Sequence, residues 1–216
     1  NNDIWQRKPA GLVLGLDFSG GRVTTPLGQT GTLVGNATVA AGTRYLAVDG
    51  TGDHLTFPDE TGLSFTSGGG VDLPASLMMW VWFDTSVSSR RALMIKSAEY
   101  LLEVGSVTDP SKGLAFTCWK SDFSAGIAGH MNTLTGISSG QWLHLGATYS
   151  GSKTSAGISL FLNSVSQAVV SASFGSYAGM SNTSAVLQVC GAGAGLTWAG
   201  KIADLRMYNR ALAQPE

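Results

Sequence analysis

The chain has 216 residues, 44% of them apolar and only 12% charged, with 29 glycines and a formal net charge of −1. That composition excludes a disordered polypeptide, and basic residues scattered apart from Arg7-Lys8 and Arg90-Arg91 leave no stripe for nucleic acid. The longest uninterrupted apolar run, Leu77 to Phe83, is far too short to span a bilayer, so no membrane insertion is expected.

In chain order, Asn1 to Gly11 reads as an N-terminal arm or linker, with Trp5 and Pro9 flanking the basic pair. Beginning at Asn1, the chain reads as a mature product or an excised domain. Residues 12–216 are expected to form one domain. Leu12 to Phe18 is the first strand, and shorter candidates follow at Arg22 to Thr25, Thr32 to Val34 and Thr38 to Ala40. Arg44 to Val48 and His54 to Phe57 predict a hairpin across Asp49-Gly50-Thr51-Gly52-Asp53. Gly62 to Pro74 reads as a glycine-rich loop. Ala75 to Phe83 (ASLMMWVWF) is so apolar that it predicts a central strand buried on both faces, with Trp80 and Trp82 in the core.

Arg91 to Lys96, Tyr100 to Val104 and Gly113 to Trp119 continue the meander, with a turn at Asp109-Pro110. Ile127 to His130 and Thr133 to Ile137 are weaker strands. Trp142 to Tyr149 and Ile158 to Leu162 then form a long hairpin, with Leu143, Leu145, Ala147 and Tyr149 on one face and Trp142, His144 and Thr148 on the other. Neither face is fully polar, so this hairpin is expected to be covered on both sides. Val165 to Ala172, Val186 to Cys190 and Gly200 to Tyr208 follow, and Asn209-Arg210-Ala211-Leu212 suggests a closing helical turn. About thirteen short strands without a long amphipathic helix predict an all-β, two-sheet antiparallel β-sandwich or jelly roll. Cys118 and Cys190 each sit in an apolar run, which fits either two buried thiols or one bridge and leaves the redox compartment open.

Four ordered stretches carry a resemblance: Gly31 to Asp59, ASLMMWVWFD (Ala75 to Asp84), GQWLHLGATYSG (Gly140 to Gly151) and GKIADLRMYNRAL (Gly200 to Leu212). Together they resemble the concanavalin A-like lectin/glucanase superfamily in its laminin-G-like, pentraxin-like branch. The resemblance covers nearly the whole chain from Leu12 and implies a jelly roll of two antiparallel sheets, one of them concave. Two positions depart from the pattern: Asn163-Ser164 stands where Asn-Gly is usual, and Ala203-Asp204 replaces Asp-Asp, which removes a carboxylate.

Enzymes on the fold implied by this resemblance that cleave β-glucans carry closely spaced acids on one strand, because two carboxyls must flank the glycosidic bond. No such strand is present. Glu99 and Glu103 have Leu101 between them and no third acid, and read as solvated strand-end charges. A Gly-x-Ser-x-Gly elbow and paired His or Cys metal spacings are also missing, so a non-enzyme is expected. Many relatives implied by the resemblance hold calcium. Asp49, Asp53 and Asp204 are the candidate ligands, the alternative being that Asp49 and Asp53 shape turns while Asp204 pairs with Arg206 or Arg210. His144, between Leu143 and Leu145, reads as a hydrogen-bonded core histidine.

Sugar recognition on a β-sandwich stacks aromatic rings on pyranose C–H faces and surrounds them with hydrogen-bonding groups. Trp119-Lys120-Ser121-Asp122-Phe123 is the best local match; His130, Asn132 and Arg91 of the Arg90-Arg91 turn would converge with it if they share a rim, and Trp198 is a second exposed-aromatic candidate. Trp142 is assigned to the core. The reading that follows is a non-catalytic recognition module for a glycan or glycoprotein surface, at the extracellular or virion surface. The alternative is a structural decoration or adhesion domain of such an assembly, acting as a homo-oligomer.

Overall fold

The computed structural model describes residues 9–21, 23–25, 28–105, 111–191 and 196–213. The expected N-terminal arm at residues 1–8, Arg22, the Asp109-Pro110 turn and residues 192–195 of the loop before Trp198 lie outside them. Two antiparallel sheets carry the fold. The seven-stranded sheet contains β1 (Leu12–Leu16), β3 (Leu46–Asp49), β7 (Ala75–Phe83), β12 (Trp142–Tyr149), β13 (Ile158–Leu162), β14 (Val165–Ser166) and β17 (Ala199–Tyr208). Its order is β1-β17-β7-β12-β13-β14, with β3 also on β17. The eight-stranded sheet contains β2 (Thr32–Val34), β4 (His54–Phe57), β8 (Arg91–Lys96), β9 (Tyr100–Val104), β10 (Leu114–Trp119), β11 (Gly126–His130), β15 (Val170–Phe174) and β16 (Leu187–Val189). It is ordered β15-β11-β10-β9-β8-β16-β4-β2, and a small hairpin joins β5 (Thr66–Gly68) to β6 (Val71–Asp72). Among the described residues no helix is long and apolar enough to cross a membrane.

Strand β7 is central, as its apolar run predicts, and pairs with β12 from Ala75↔Tyr149 to Trp82↔Trp142. Alternation sends Leu77, Met79, Val81 and Phe83 inward beside Leu143, Leu145 and Tyr149, all at most 1% exposed. Tyr100, Leu102, Phe116 and Cys118 meet them from the other sheet in one continuous core. Each large apolar side chain contributes about 1.5–3 kcal/mol on full burial. Both cysteines are buried free thiols. At the end of this layer the Tyr149 hydroxyl donates to Asp72 Oδ2 at 2.6 Å and accepts from Lys153 N at 2.8 Å. The Tyr177 hydroxyl and the Met180 N–H also donate to Asp72, both at 2.7 Å.

Close approach of β17 to β7 requires Gly200. A Cβ there would lie 2.0 Å from the Trp82 carbonyl oxygen and 2.5 Å from Trp198 Cζ3, and neither neighbour can yield cheaply. Gly200→Ala is therefore expected to destabilise the fold by about 2 kcal/mol or more, read as a lowered thermal midpoint.

Several expectations need correction. Strands β3 and β4 do not form a hairpin: β3 pairs with β17 and β4 with β16 and β2. Leu46 and Val48 enter the core from one sheet while Leu55 and Phe57 enter from the other, so the Asp49–Asp53 turn carries the chain across the edge of the sandwich. Thr133 to Ile137 is a turn, closed by the Ile137 N–H on Leu134 O, with Gly136 at φ 82°. Of the short candidates, Thr24 and Thr38 form only isolated bridges. No helical turn is formed by Asn209 to Leu212, because Ser76 Oγ donates to Arg210 O and accepts from Leu212 N, pinning the segment to β7. Finally, Glu99 and Glu103 are fully buried, each held by a cation: Lys96 for Glu99 and Arg90 for Glu103, both at 2.8 Å.

Candidate functional site

The hairpin β12–β13 is buried on its inner face; on its outer face Gly146 and Thr148 are buried as expected, while Trp142, His144, Ser159 and Phe161 are only half-buried. Outward positions of β17, β7 and β12 fall in register as Lys201↔Trp82↔Trp142 in one row and Ala203↔Trp80↔His144 in the next. Trp80 is 40% exposed, and Trp82, Trp142 and Tyr45 are half-buried, so neither Trp80, Trp82 nor Trp142 belongs to the core as expected. Their rings adjoin: Trp82 lies 5.9 Å from Trp142 in an edge-on pair, Tyr45 lies 6.2 Å from Trp142, and Trp80 lies 5.2 Å from the His144 ring. The Lys201 ammonium sits 5.1 Å from the Trp82 centroid and 5.8 Å from that of Tyr45, while pairing with Asp84 at 3.3 Å. Beside Trp80 the strand carries only Ala203, then bulges, with Asp204 at φ 44° turned back to grip Arg206 at 2.8 and 2.9 Å. A small neighbour and a bulge leave the Trp80 ring open.

One row further along lies a cleft of about 130 Å³. Met78, Phe161 and Leu212 supply apolar walls, His144, Thr148 and Ser164 a polar rim, and Gly146 a site with no side chain. His144 is half-buried rather than core, and its enclosed Nδ1 has no hydrogen-bond partner. Burial, followed by the nearby Arg206 cation, lowers its pKa below the ordinary 6.5 against the opposing pull of Asp204. The imidazole is therefore neutral at pH 7. Its stabilising contribution is complete above pH 6.5 and is lost as pH falls through the folded-state value, because the unfolded chain protonates first. The main chain of His144 is fixed by Asn163, through His144 N to Asn163 Oδ1 at 2.9 Å and Asn163 N to His144 O at 2.7 Å. Asn163 and Ser164 both hold positive φ, 50° and 64°, forming the two-residue turn into β14 where the resemblance has Asn-Gly.

The residues singled out from sequence fall elsewhere. Trp119 is 6% exposed, packed on Ala92 and Leu101. The open ring at that turn is Phe123, at 51% exposure and 5.5 Å from Trp119. Asp122 is exposed, yet Ser124 and Lys120 occupy its oxygens and hold its carboxyl well below the usual carboxylate range. His130 is buried on β11 opposite Ala115, four residues along β10 from Trp119, which separates the two by roughly 13 Å. Arg91 begins β8, opposite Val104, near the His130 end. Register thus brings Arg91, Glu103 and His130 toward one end of the eight-stranded sheet and leaves Trp119 at the other. Trp198 is 3% exposed, its ring 4.9 Å from that of Phe83, with its indole N–H on Ala92 O. Neither Trp119 nor Trp198 offers an open face for a sugar.

The three aspartates considered for calcium do not form a cage. Asp53 accepts the backbone N–H groups of Asn36 and Asp49, Asp49 accepts that of Thr51, and Asp204 lies within β17 on Arg206. Lone pairs committed to fixed donors make poor metal ligands. Among the described residues no three His, Cys, Asp or Glu side chains cluster to hold an ion. Chelator is accordingly expected to leave the thermal midpoint unchanged; a fall on adding EDTA, reversed by calcium, would contradict this.

The outward tryptophans escape a reading of sequence because ASLMMWVWF is apolar at every position but Ser76, so its alternation cannot say which parity faces solvent. The one signal is chemical: Trp80 and Trp82 share a parity opposite to that of Leu77, Met79, Val81 and Phe83.

Comparison with known proteins agrees with this architecture. No curated protein matches the sequence significantly. Among solved structures, Domain 4 of AbnA, a GH43 extracellular arabinanase from Geobacillus stearothermophilus in complex with arabinotriose, has a TM-score of 0.65 at 16% identity, covering 95% of this chain and 96% of that one. The botulinum neurotoxin serotype D binding domain has a TM-score of 0.66 at 10% identity. The binding domain of botulinum neurotoxin DC in complex with SialylT has 0.64 at 9%. The chain spans about half the length of each toxin domain: 94% of this chain covers 49% of those. At these identities the likeness is one of fold, and the toxin neighbours are binding domains. A sequence profile described as the concanavalin A-like lectin/glucanases superfamily matches residues 49–216, so the chain belongs to that superfamily.

Proposed function

We propose that the protein is a non-catalytic carbohydrate-recognition module that stacks sugar rings on the outer face of its seven-stranded sheet. The observation that carries this reading is the outward display of Trp80, Trp82 and Trp142, with Trp80 at 40% exposure and Ala203 beside it. An aromatic ring left open on a sheet gains most from a flat, partly apolar partner, and a pyranose presents one. Trp80 would be the main platform, Trp82 and Trp142 its continuation, and Lys201 with Asp84 the hydrogen-bonding edge. The superfamily and the arabinotriose complex of the arabinanase domain support it. A secreted or surface setting suits it too, since the neighbours include toxin binding domains and a domain of an extracellular enzyme.

Catalysis is not assigned, because the buried acids Glu99 and Glu103 are committed to Lys96 and Arg90. The test is a glycan array followed by titration of tryptophan fluorescence. Binding with a Kd on the order of 10 µM to 1 mM is expected, about −4 to −7 kcal/mol. Absence of any glycan signal would favour the structural alternative, for which Val165, Val170 and Phe174, 60%, 43% and 37% exposed along the outer edge strands, are the surface to probe by light scattering.

A further inference from the structure

Building on that reading, we infer that the site selects an uncharged glycan bearing an acetamido group, with the sugar ring on Trp80 and the acetyl methyl in the cleft beside His144. Four observations converge. First, platform and cleft adjoin: His144 lines the cleft and its ring lies 5.2 Å from that of Trp80, and Trp80↔His144 and Met78↔Gly146 are successive outward rows on the same two strands, roughly 6.8 Å apart. In an acetamido sugar the ring carbon and the methyl are separated like successive Cα atoms across a trans peptide, about 3.8 Å. Directed along the strands, that substituent reaches from a ring seated on Trp80 toward the next row.

Second, the cleft is walled by Met78, Phe161 and Leu212 and measures about 130 Å³, whereas one water needs only about 10–15 Å³ of such space. It is large enough for a planar amide and its methyl. Against the Met78, Phe161 and Leu212 walls a methyl gains by burial, whereas a hydroxyl gains nothing from those carbons. Third, the enclosed, unpartnered Nδ1 of His144 is better left as a lone pair than as a buried N–H, which places the proton on Nε2 as a donor for the acetamido carbonyl.

Fourth, the charges beside the platform cancel. Lys201 pairs with Asp84 and Arg206 with Asp204, so neither cation is left over for a carboxylate or sulfate. An acidic sugar would meet each cation already neutralised by its aspartate.

The test uses matched trisaccharides of N-acetylglucosamine and glucose, and of N-acetylgalactosamine and galactose, titrated by calorimetry against the intact chain. At least one acetamido member is expected to bind about 10-fold or more tighter than its hydroxyl counterpart. Gly146→Val fills the cleft. Its Cβ would meet only ordinary contacts, at 3.6 Å to Leu77 O, 3.7 Å to Met78 Cβ and 3.8 Å to Phe161 Cβ, and Gly146→Ala is the milder control. Filling should reduce the preference toward unity. Equal affinities within both pairs, lost together in Trp80→Ala, would overturn the acetamido inference and leave ring stacking standing. No binding by any of the four, or binding that Trp80→Ala does not change, would overturn both.

Discussion

Trp80→Ala weakens glycan binding by about 10- to 100-fold, the largest functional effect expected of any single substitution, while lowering the thermal midpoint by only a few degrees. The two halves of this result come from the same geometry. A stacking residue at the centre of a binding face contributes on the order of 2 kcal/mol or more, and about 1.4 kcal/mol is a factor of ten in Kd. Yet Trp80 is 40% exposed and its ring meets that of His144 across the strands, so its removal forfeits a cross-strand pair of about 0.5–1 kcal/mol. In a chain of this length that moves the midpoint by roughly 1–4 °C. Trp198→Ala is the contrast. That ring is 3% exposed, packs near Phe83 and donates to Ala92 O, so its loss costs about 3–5 kcal/mol of stability. Calorimetric titration with a glycan hit, beside a melting scan of both variants, separates the two roles.

Lys96→Met lowers the thermal midpoint by about 10 °C and leaves glycan affinity unchanged. Lys96 is fully buried, with its ammonium 2.8 Å from Glu99 Oε1, 2.9 Å from Asp59 Oδ1 and 2.8 Å from Thr183 O. The same Glu99 oxygen accepts from the Thr183 N–H and hydroxyl, both at 2.8 Å, so the pair ties the chain around Thr183 to the β8–β9 turn. Removing only the cation strands a buried carboxylate whose second oxygen already lacks a partner, which costs about 3–5 kcal/mol. Replacing both members, as in Lys96→Met with Glu99→Met, is expected to recover part of the loss, because the buried pair no longer leaves one charge without the other. A double variant no more stable than the single one would show that the Thr183 bonds, and not the charge, dominate. The network belongs to the eight-stranded sheet, away from Trp80, and this is why binding should not change.

Architecture is legible in the sequence where alternation is clean. Leu143, Leu145, Ala147 and Tyr149 predict the inward face of β12, and the structure places all four inside. The closing strand and its Asp204–Arg206 pair are legible for the same local reason. What the sequence hides is long-range. The glycine-rich turn at Asp49–Asp53 is compatible with pairing its two flanking strands or with carrying the chain from one sheet to the other. Only the partners decide, and β17 and β16, which hold β3 and β4 apart, come from the far end of the chain.

The proposed binding face is the least legible part. Trp80 and Trp82 lie in a run that is apolar on both parities, so burial of the whole strand is the natural expectation, and a neighbour as small as Ala203 leaves the Trp80 ring open. Trp119 and Trp198 err in the opposite direction. Polar and glycine-rich flanks suggest exposure, while Ala92, Leu101 and Phe83, all distant in sequence, enclose them. Burial of a single aromatic residue depends on what packs over it, and local sequence does not contain that information.

The six tryptophan indole N–H groups give separate signals in a ¹H–¹⁵N correlation spectrum, and following them through a titration with a glycan hit tests the stacking face most directly. The signals of Trp80, Trp82 and Trp142 should move together and saturate with the calorimetric Kd, while those of Trp119 and Trp198 stay in place. Saturation with Trp80, Trp82 and Trp142 unmoved would contradict the assignment of the binding face.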